Sequence, residues 1–282
     1  MASSQQIKQA RAALALRAER SMGINSVPRV RAARAVVPGA SAPATTKTVA
    51  AKVVAMPARP QSTVPTPKAT PVVLNLKPLD FTPIAKEEKL RLLTALDETQ
   101  VKGCTKCVLC RTRTNTVFAD GDPGSELMFI GEAPGENEDL SGKPFVGKAG
   151  QLLDKMIVAM GLSRDRVYIA NVVKCRPPDN RPPSPEETAA CSPYLYQQIE
   201  WVRPKVIVTL GLPATQLILN TKQAMGKMRG VWHEWRGVRV MPTYHPAYVL
   251  RSYTEQTRRA VWSDLQMVMT ELSSMNPPKE HA

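Results

Sequence analysis

Several absences narrow the reading of this 282-residue chain. No apolar run approaches the roughly 20 residues needed to cross a bilayer, which excludes a membrane-spanning protein. The apolar core of roughly 7–15 residues that marks a secretory signal is also missing, which argues against secretion. Cysteine is scarce: five irregularly spaced residues are too few for a secreted disulfide scaffold and point to a reducing compartment where clustered thiols bind metal. Histidine occurs only three times. Acidic residues are nearly missing from the first 79 positions, where Glu19 stands alone against 12 Lys and Arg, so this segment carries eleven of the fourteen net positive charges. What is present, 43% hydrophobic residues, suits a soluble globular protein with one or two cores.

The basic segment 1–79 also holds nine of the 25 prolines, and its Ala/Thr/Val/Ser stretches bury too little apolar surface to offset the entropy of ordering. Residues 36–78 therefore read as a disordered linker. Before them, Ile7 to Met22 has the pattern of a short basic amphipathic helix with Gly23 as its stop. Such an arm suits a polycation that strengthens DNA binding by releasing counterions. An Arg-rich, acid-poor targeting peptide, giving an organellar destination, is the competing role, and a solvated tail is the third. Without targeting, the location is cytoplasmic and close to the nucleoid.

From about Phe81 the pattern becomes regular, giving a folded domain over 80–275 and a disordered tail over 276–282. Strands are expected at Glu126–Ile130, Val167–Val173, Lys205–Leu210 and Val238–Pro242, with Met128, Ile130, Val172, Ile207 and Val208 in the core. Helices are expected at Ala85–Asp97, Ala149–Met160, Pro185–Trp201, Pro213–Leu219 and Thr257–Leu272. Strands apolar enough to be covered on both faces, alternating with helices, indicate an α/β protein: a three-layer α/β/α sandwich around a mostly parallel sheet. Ligands of such sheets bind beyond the carboxyl ends of the strands. The segments there are GEAPGENED, KCRPPDNRPPSP, GLPA and TYHPAY.

Cys104 and Cys107 form a C-x2-C pair, and Cys175 and Cys191 a wider one. The spacing leaves open a [4Fe–4S] cluster, a structural zinc or buried thiols, with the stretched second pair suiting a larger cluster better than zinc. The glycines and four carboxylates of Gly131–Asp139 lack the pattern of a P-loop and read, taken alone, as a turn with solvated acids. Phe145, set among Gly and Pro, is oddly placed for a core aromatic and suits a stacking platform. Asn171 interrupts an apolar strand and needs a partner if buried. A lone His is more often structural, but the place of His245 at the end of a strand, followed by Pro246 and Arg251, favours donation to a ligand.

GEAPGENEDLSGKPFVGKAGQLL, NVVKCRPPDNRPP, IVTLG and TYHPAYVLR, in this order and with the four cysteines, closely resemble family 4 uracil-DNA glycosylases over about residues 85–272. The resemblance implies excision of uracil from DNA as the first step of base-excision repair. It also implies a [4Fe–4S] cluster held by Cys104, Cys107, Cys175 and Cys191, with Cys110 surplus. Phe145 would stack on a flipped base. Asn171 would read its O4 and N3–H edge, and Gly131 and Ala133 would line the pocket. Glu138 or its neighbours would crowd C5 against thymine. His245 would bond O2 as uracil leaves, and Glu132 would place the water, since related enzymes with a GQDPY-type motif carry Asp where this chain has Ala133. Lys148, Arg176, Arg181 and Arg251 would hold phosphates, while Tyr248 and Leu250 wedge into the vacated stack. A close relative that links covalently to DNA through His carries a Lys-Arg-Arg-Ile-His loop, which Lys227–His233 does not match, so catalytic release is expected. The partners expected are uracil-containing DNA and no membrane, for a monomer. The competing reading is a noncatalytic iron–sulfur DNA-binding module.

Overall fold

The computed structural model describes Gly23 and residues 78–275. Apart from Gly23, Pro78 and Leu79, the expected arm over 1–79, with its helix over 7–22 and its linker over 36–78, and the tail over 276–282 lie outside the described residues. Gly23 has φ +68° and accepts a hydrogen bond on its carbonyl from Arg258 Nη2 at 2.7 Å. The expected boundary at residue 80 is too late. Leu79 is buried against one face of the sheet and donates its N–H to the Arg236 carbonyl at 3.1 Å, so the fold already includes it.

Among the described residues, six strands form one mixed sheet in the order β1-β3-β2-β4-β6-β5. β2 (Leu127–Gly131), β3 (Tyr168–Asn171), β4 (Val206–Leu210) and β6 (Val238–Thr243) run parallel. Every residue of β2, β3 and β4 is buried, as expected of strands covered on both sides. Leu127 and Phe129 face one layer, with α3 (Lys148–Ala159), α7 (Pro246–Arg251) and α8 (Glu255–Met275), while the short α6 (Met225–Met228) precedes β5. Met128 and Ile130 face the other, with α1 (Lys86–Leu96), α4 (Pro185–Val202) and α5 (Leu212–Leu219). This is the three-layer α/β/α sandwich. Burying each such side chain contributes about 1.5–3 kcal/mol, and the five core residues named from the pattern are all buried.

The two outer strands depart from the parallel reading. β1 (Asp120–Gly121) pairs antiparallel with β3, and β5 (His233–Trp235) pairs antiparallel with β6. With two and three residues, they are too short to show an apolar period. Two more elements depart from expectation. GEAPGENED contains a helix, α2 (Glu136–Ser141), and β3 is shorter than Val167–Val173, so that Asn171 is its last residue rather than an interior one. The start of α4 follows its local signals closely: Pro185 is the first helical residue, Ser184 Oγ accepts the Glu187 N–H at 3.2 Å, and Glu187 Oε2 accepts the Ser184 N–H at 2.8 Å.

Candidate active site

A cavity of about 740 Å³ opens at the carboxyl ends of β2, β3, β4 and β6. Its walls come from all four segments singled out in the sequence: Glu132 to Glu138, Asn171 to Pro182, Gly211 to Pro213 and Tyr244 to Arg251. Parallel strands deliver their ends to one edge, so stretches far apart in sequence meet there.

Register decides the centre of the pocket. Asn171 pairs directly with Gly131 across β3 and β2. A Cβ on Gly131 would stand 2.4 Å from Asn171 Oδ1 and 2.5 Å from Phe145 Cζ, so glycine is required for both side chains to approach. Phe145 is 5% exposed and serves both core and pocket, and its ring centroid lies 5.6 Å from that of His245. The three side chains therefore converge. Asn171 is 1% exposed, and its Oδ1 is buried with no hydrogen-bond partner. An orphaned acceptor at this depth carries a desolvation cost of about 1–3 kcal/mol until a donor fills it.

His245 caps α7: its Nδ1 accepts the Ala247 N–H at 3.1 Å, so the neutral ring carries its proton on Nε2. Burial first, and the Arg251 charge second, push its pKa down to about 4, with Glu138 acting in the opposite direction. At neutral pH the ring is an uncharged N–H donor. Glu132 also lines the cavity, and burial alone raises its carboxyl above the usual range.

The acids after β2 are not a solvated turn. Glu138 accepts the N–H groups of Gly135 at 3.1 Å and of Val146 and Gly147 at 2.8 Å each, joining the two halves of the loop around α2. Asp139 is buried and accepts from Thr114 N–H at 3.0 Å and Asn115 N–H at 3.3 Å. Glu138 borders the cavity with its carboxylate committed to the loop. Ala133 lines the wall as expected.

The cations expected to grip phosphate divide into two groups. Arg181 makes a bidentate pair with the buried carboxylate of Glu187 at 2.6 and 2.8 Å, so its charge is used to fold the proline-rich loop. Arg176 bonds Asn180 Oδ1 at 2.8 Å and lies 3.7 Å from Glu136. Arg251 lines the cavity and Lys148 is the first residue of α3, and both are exposed and make no ion pair among the described residues. Tyr248 is 41% and Leu250 39% exposed on α7, with the Tyr248 ring 5.0 Å from that of Tyr244.

Residues 118–266 match the family model described as the Uracil DNA glycosylase superfamily. A type-4 uracil-DNA glycosylase of Saccharolobus solfataricus is 48% identical over 184 residues, 62% of this chain and 84% of that protein. One from Thermotoga maritima is 47% identical over 169 residues, 59% of this chain and 88% of that protein. One from Archaeoglobus fulgidus is 45% identical over 177 residues, 60% of this chain and 88% of that protein. The chain belongs to the uracil-DNA glycosylase superfamily.

This uracil-DNA glycosylase superfamily member also brings Cys104, Cys107, Cys175 and Cys191 to the wall of a second, smaller cavity, while Cys110 does not line it. The sulfurs are met by donors: Arg113 Nη1 at 3.2 Å from Cys175 Sγ, the Lys174 N–H at 3.2 Å from Cys191 Sγ, and the Tyr194 hydroxyl at 3.4 Å from Cys104 Sγ. Lys106 and the buried Lys174 also line this cavity, with the Lys174 ammonium donating to the Asn171 carbonyl and to Gln198 Oε1. Among the described residues, no three His, Cys, Asp or Glu side chains are grouped so that they could hold a metal ion. A four-thiolate group carrying net negative charge fits this donor set. No helix among the described residues is long and apolar enough to cross a membrane.

Sequence reasoning missed Met225 as a pocket wall, and it gave Tyr244 and the Gly211–Pro213 turn no role of their own within the segments it singled out. The turn was visible only as a segment after a strand. Arg164, which reaches the carbonyls of the Phe145 loop, gave no local signal.

Proposed function

We propose that the chain hydrolyses the N-glycosidic bond of deoxyuridine in DNA, releasing uracil and leaving an abasic site. The observation that carries this reading is the unpartnered, buried Oδ1 of Asn171 beside the Phe145 ring and the His245 imidazole. A flipped uracil supplies N3–H to that oxygen and O4 to the amide nitrogen. Cytosine would present a bare nitrogen and an amino group to the same fixed amide, acceptor to acceptor and donor to donor, which spares it.

As the bond breaks, positive charge grows on the sugar and negative charge on the base. His245, neutral and protonated on Nε2, hydrogen-bonds O2 and stabilises the departing anion without transferring a proton. Glu132 in its ionised form orients the water. Phe145 holds the base by stacking, and Gly131 and Ala133 let it approach the loop. Lys148 and Arg251 take phosphates, and Tyr248 and Leu250 fill the space the base vacates. Cys104, Cys107, Cys175 and Cys191 would hold a [4Fe–4S] cluster, which would cross-link the segment before β1 to the loop after β3 and to α4. The protein works as a monomer on DNA in a reducing compartment, the cytoplasm in a bacterium. A noncatalytic DNA-binding module is not favoured, because it gives the orphaned amide and the neutral imidazole no task. Incubating purified protein with a single-uracil oligonucleotide tests the proposal: free uracil and an alkali-labile site are expected, and an intact oligonucleotide would sink it.

A further inference from the structure

Phe145 presents its ring to the cavity from a backbone with φ +53°, the left-handed region that bulky side chains rarely occupy. Such a conformation persists only where its surroundings over-determine it. From below, Gly150 in α3 approaches so closely that a Cβ there would stand 1.9 Å from the Phe145 carbonyl oxygen. From the following residues, Glu138 holds the N–H groups of Val146 and Gly147. The third restraint is Arg164, on the short turn Arg164–Arg166 that leads into β3. Its Nη1 donates to the Phe145 carbonyl at 3.1 Å, and its Nη2 donates to the Pro144 carbonyl.

The guanidinium is itself fixed. Nε donates to Asp120 Oδ2 at 2.6 Å, on edge strand β1, and Nη1 donates to Asp154 Oδ1 at 2.8 Å, on α3. Neutral carbonyls alone would not hold a cation against water, whereas two carboxylates set the plane of the fork and leave its remaining donors aimed at the loop. Arg164 does not line the cavity, so it reaches the base only through the residues it grips.

We infer that Arg164 is a positioning residue of the base pocket: by holding the carbonyls of Pro144 and Phe145 it keeps Phe145 in its left-handed backbone, with the ring in the plane that stacks on the flipped base. This rests on the reading of Phe145 as the stacking face. A lysine cannot replace it, because a single ammonium on a flexible stem cannot bridge two carbonyls and two carboxylates at once.

A double-mutant cycle with Arg164→Lys and Phe145→Ala tests this, read by kcat/KM for uracil excision and by the inhibition constant of free uracil. Each single variant should lose at least about tenfold in both, and the double variant should be no worse than Phe145→Ala within about twofold, since the arginine then has no ring left to place. Affinity for an abasic-site duplex should stay within about twofold in Arg164→Lys, because the groups that grip DNA are elsewhere. Losses that multiply in the double variant, or normal kinetics in Arg164→Lys, would overturn the inference while leaving the stacking reading intact. Normal kinetics and normal uracil inhibition in Phe145→Ala would instead remove the stacking reading, and this inference with it. Should Arg164→Lys fail to fold, Asp154→Asn keeps both carbonyl bonds and removes one of the carboxylates that aims them. A smaller loss that vanishes in the Phe145→Ala background supports the inference, and an equal loss in both backgrounds overturns it.

Discussion

His245 shows how one backbone hydrogen bond sets the chemistry of a side chain. The Ala247 N–H occupies Nδ1, so the only proton the neutral ring can donate is on Nε2. Replacing His245 by Gln should lower kcat by about 10²–10³, the usual cost of removing one donor to a developing oxyanion. The same residue makes stability depend on pH. The folded ring takes a proton only near pH 4 and the unfolded ring near 6.5, so between these values the unfolded chain binds more protons. Stability should therefore fall as pH drops from 6.5 towards 4, by about 3 kcal/mol in all from this group. Urea titrations of wild type and His245→Gln at several pH values read the difference directly, and parallel curves would remove the imidazole from the effect. Glu132 is the complementary case. Burial lifts its pKa, so the acid limb of kcat should lie above the ordinary carboxylate range and should disappear in Glu132→Gln, together with about 10² in rate. Near-normal turnover of that variant would take Glu132 out of the mechanism.

At the scale of elements, the pocket depends on how the loop after β2 is held. Glu138 lies on a six-residue helix too short to be stable alone, and its carboxylate bridges Gly135 at the helix start to Val146 and Gly147 beyond it. Glu138→Ala would leave three N–H groups without their charged acceptor. The expected result is a loss of about 2–4 kcal/mol in denaturant titration and a lower kcat/KM, since Phe145 sits between the two halves so joined. A variant with unchanged stability would show that water replaces the carboxylate. The limits of sequence reading are clear in this segment. Glycines and acids after a strand look like a solvated turn because charge pattern alone does not reveal which carboxylates find N–H groups within reach. The start of α4 was legible because Ser184, Pro185 and Glu187 signal it within four residues.

For the molecule as a whole, two features extend beyond the pocket. Cys191 in α4 and Cys175 after β3 share a cavity with Cys104 and Cys107, which precede the sheet. If these hold a cluster, Cys191→Ser should lower bound iron and inorganic sulfide and lower the melting temperature, whereas unchanged iron content would remove Cys191 from the ligand set. The N-terminal 77 residues carry 12 Lys and Arg against one Glu. If they bind phosphates, a chain starting at Pro78 should bind DNA with a shallower dependence of log affinity on log salt, by about 0.9 for each phosphate the arm had neutralised. Equal slopes would leave the arm out of DNA binding.

The chain by itself determined the four parallel strands, the main helices between them, and which four segments end at the ligand-binding edge, because apolar periodicity and local caps act within a few residues. It also carried the identities of Phe145, Asn171 and His245. Only the tertiary structure decided that Asn171 ends its strand opposite a side-chain-free Gly131. The same holds for the commitment of Glu138 and Arg181 to the fold and for the reach of Arg164 across 19 residues to the Phe145 carbonyl. These interactions join groups distant in sequence. Their partners are set by strand register and helix packing, which no local pattern of residues encodes.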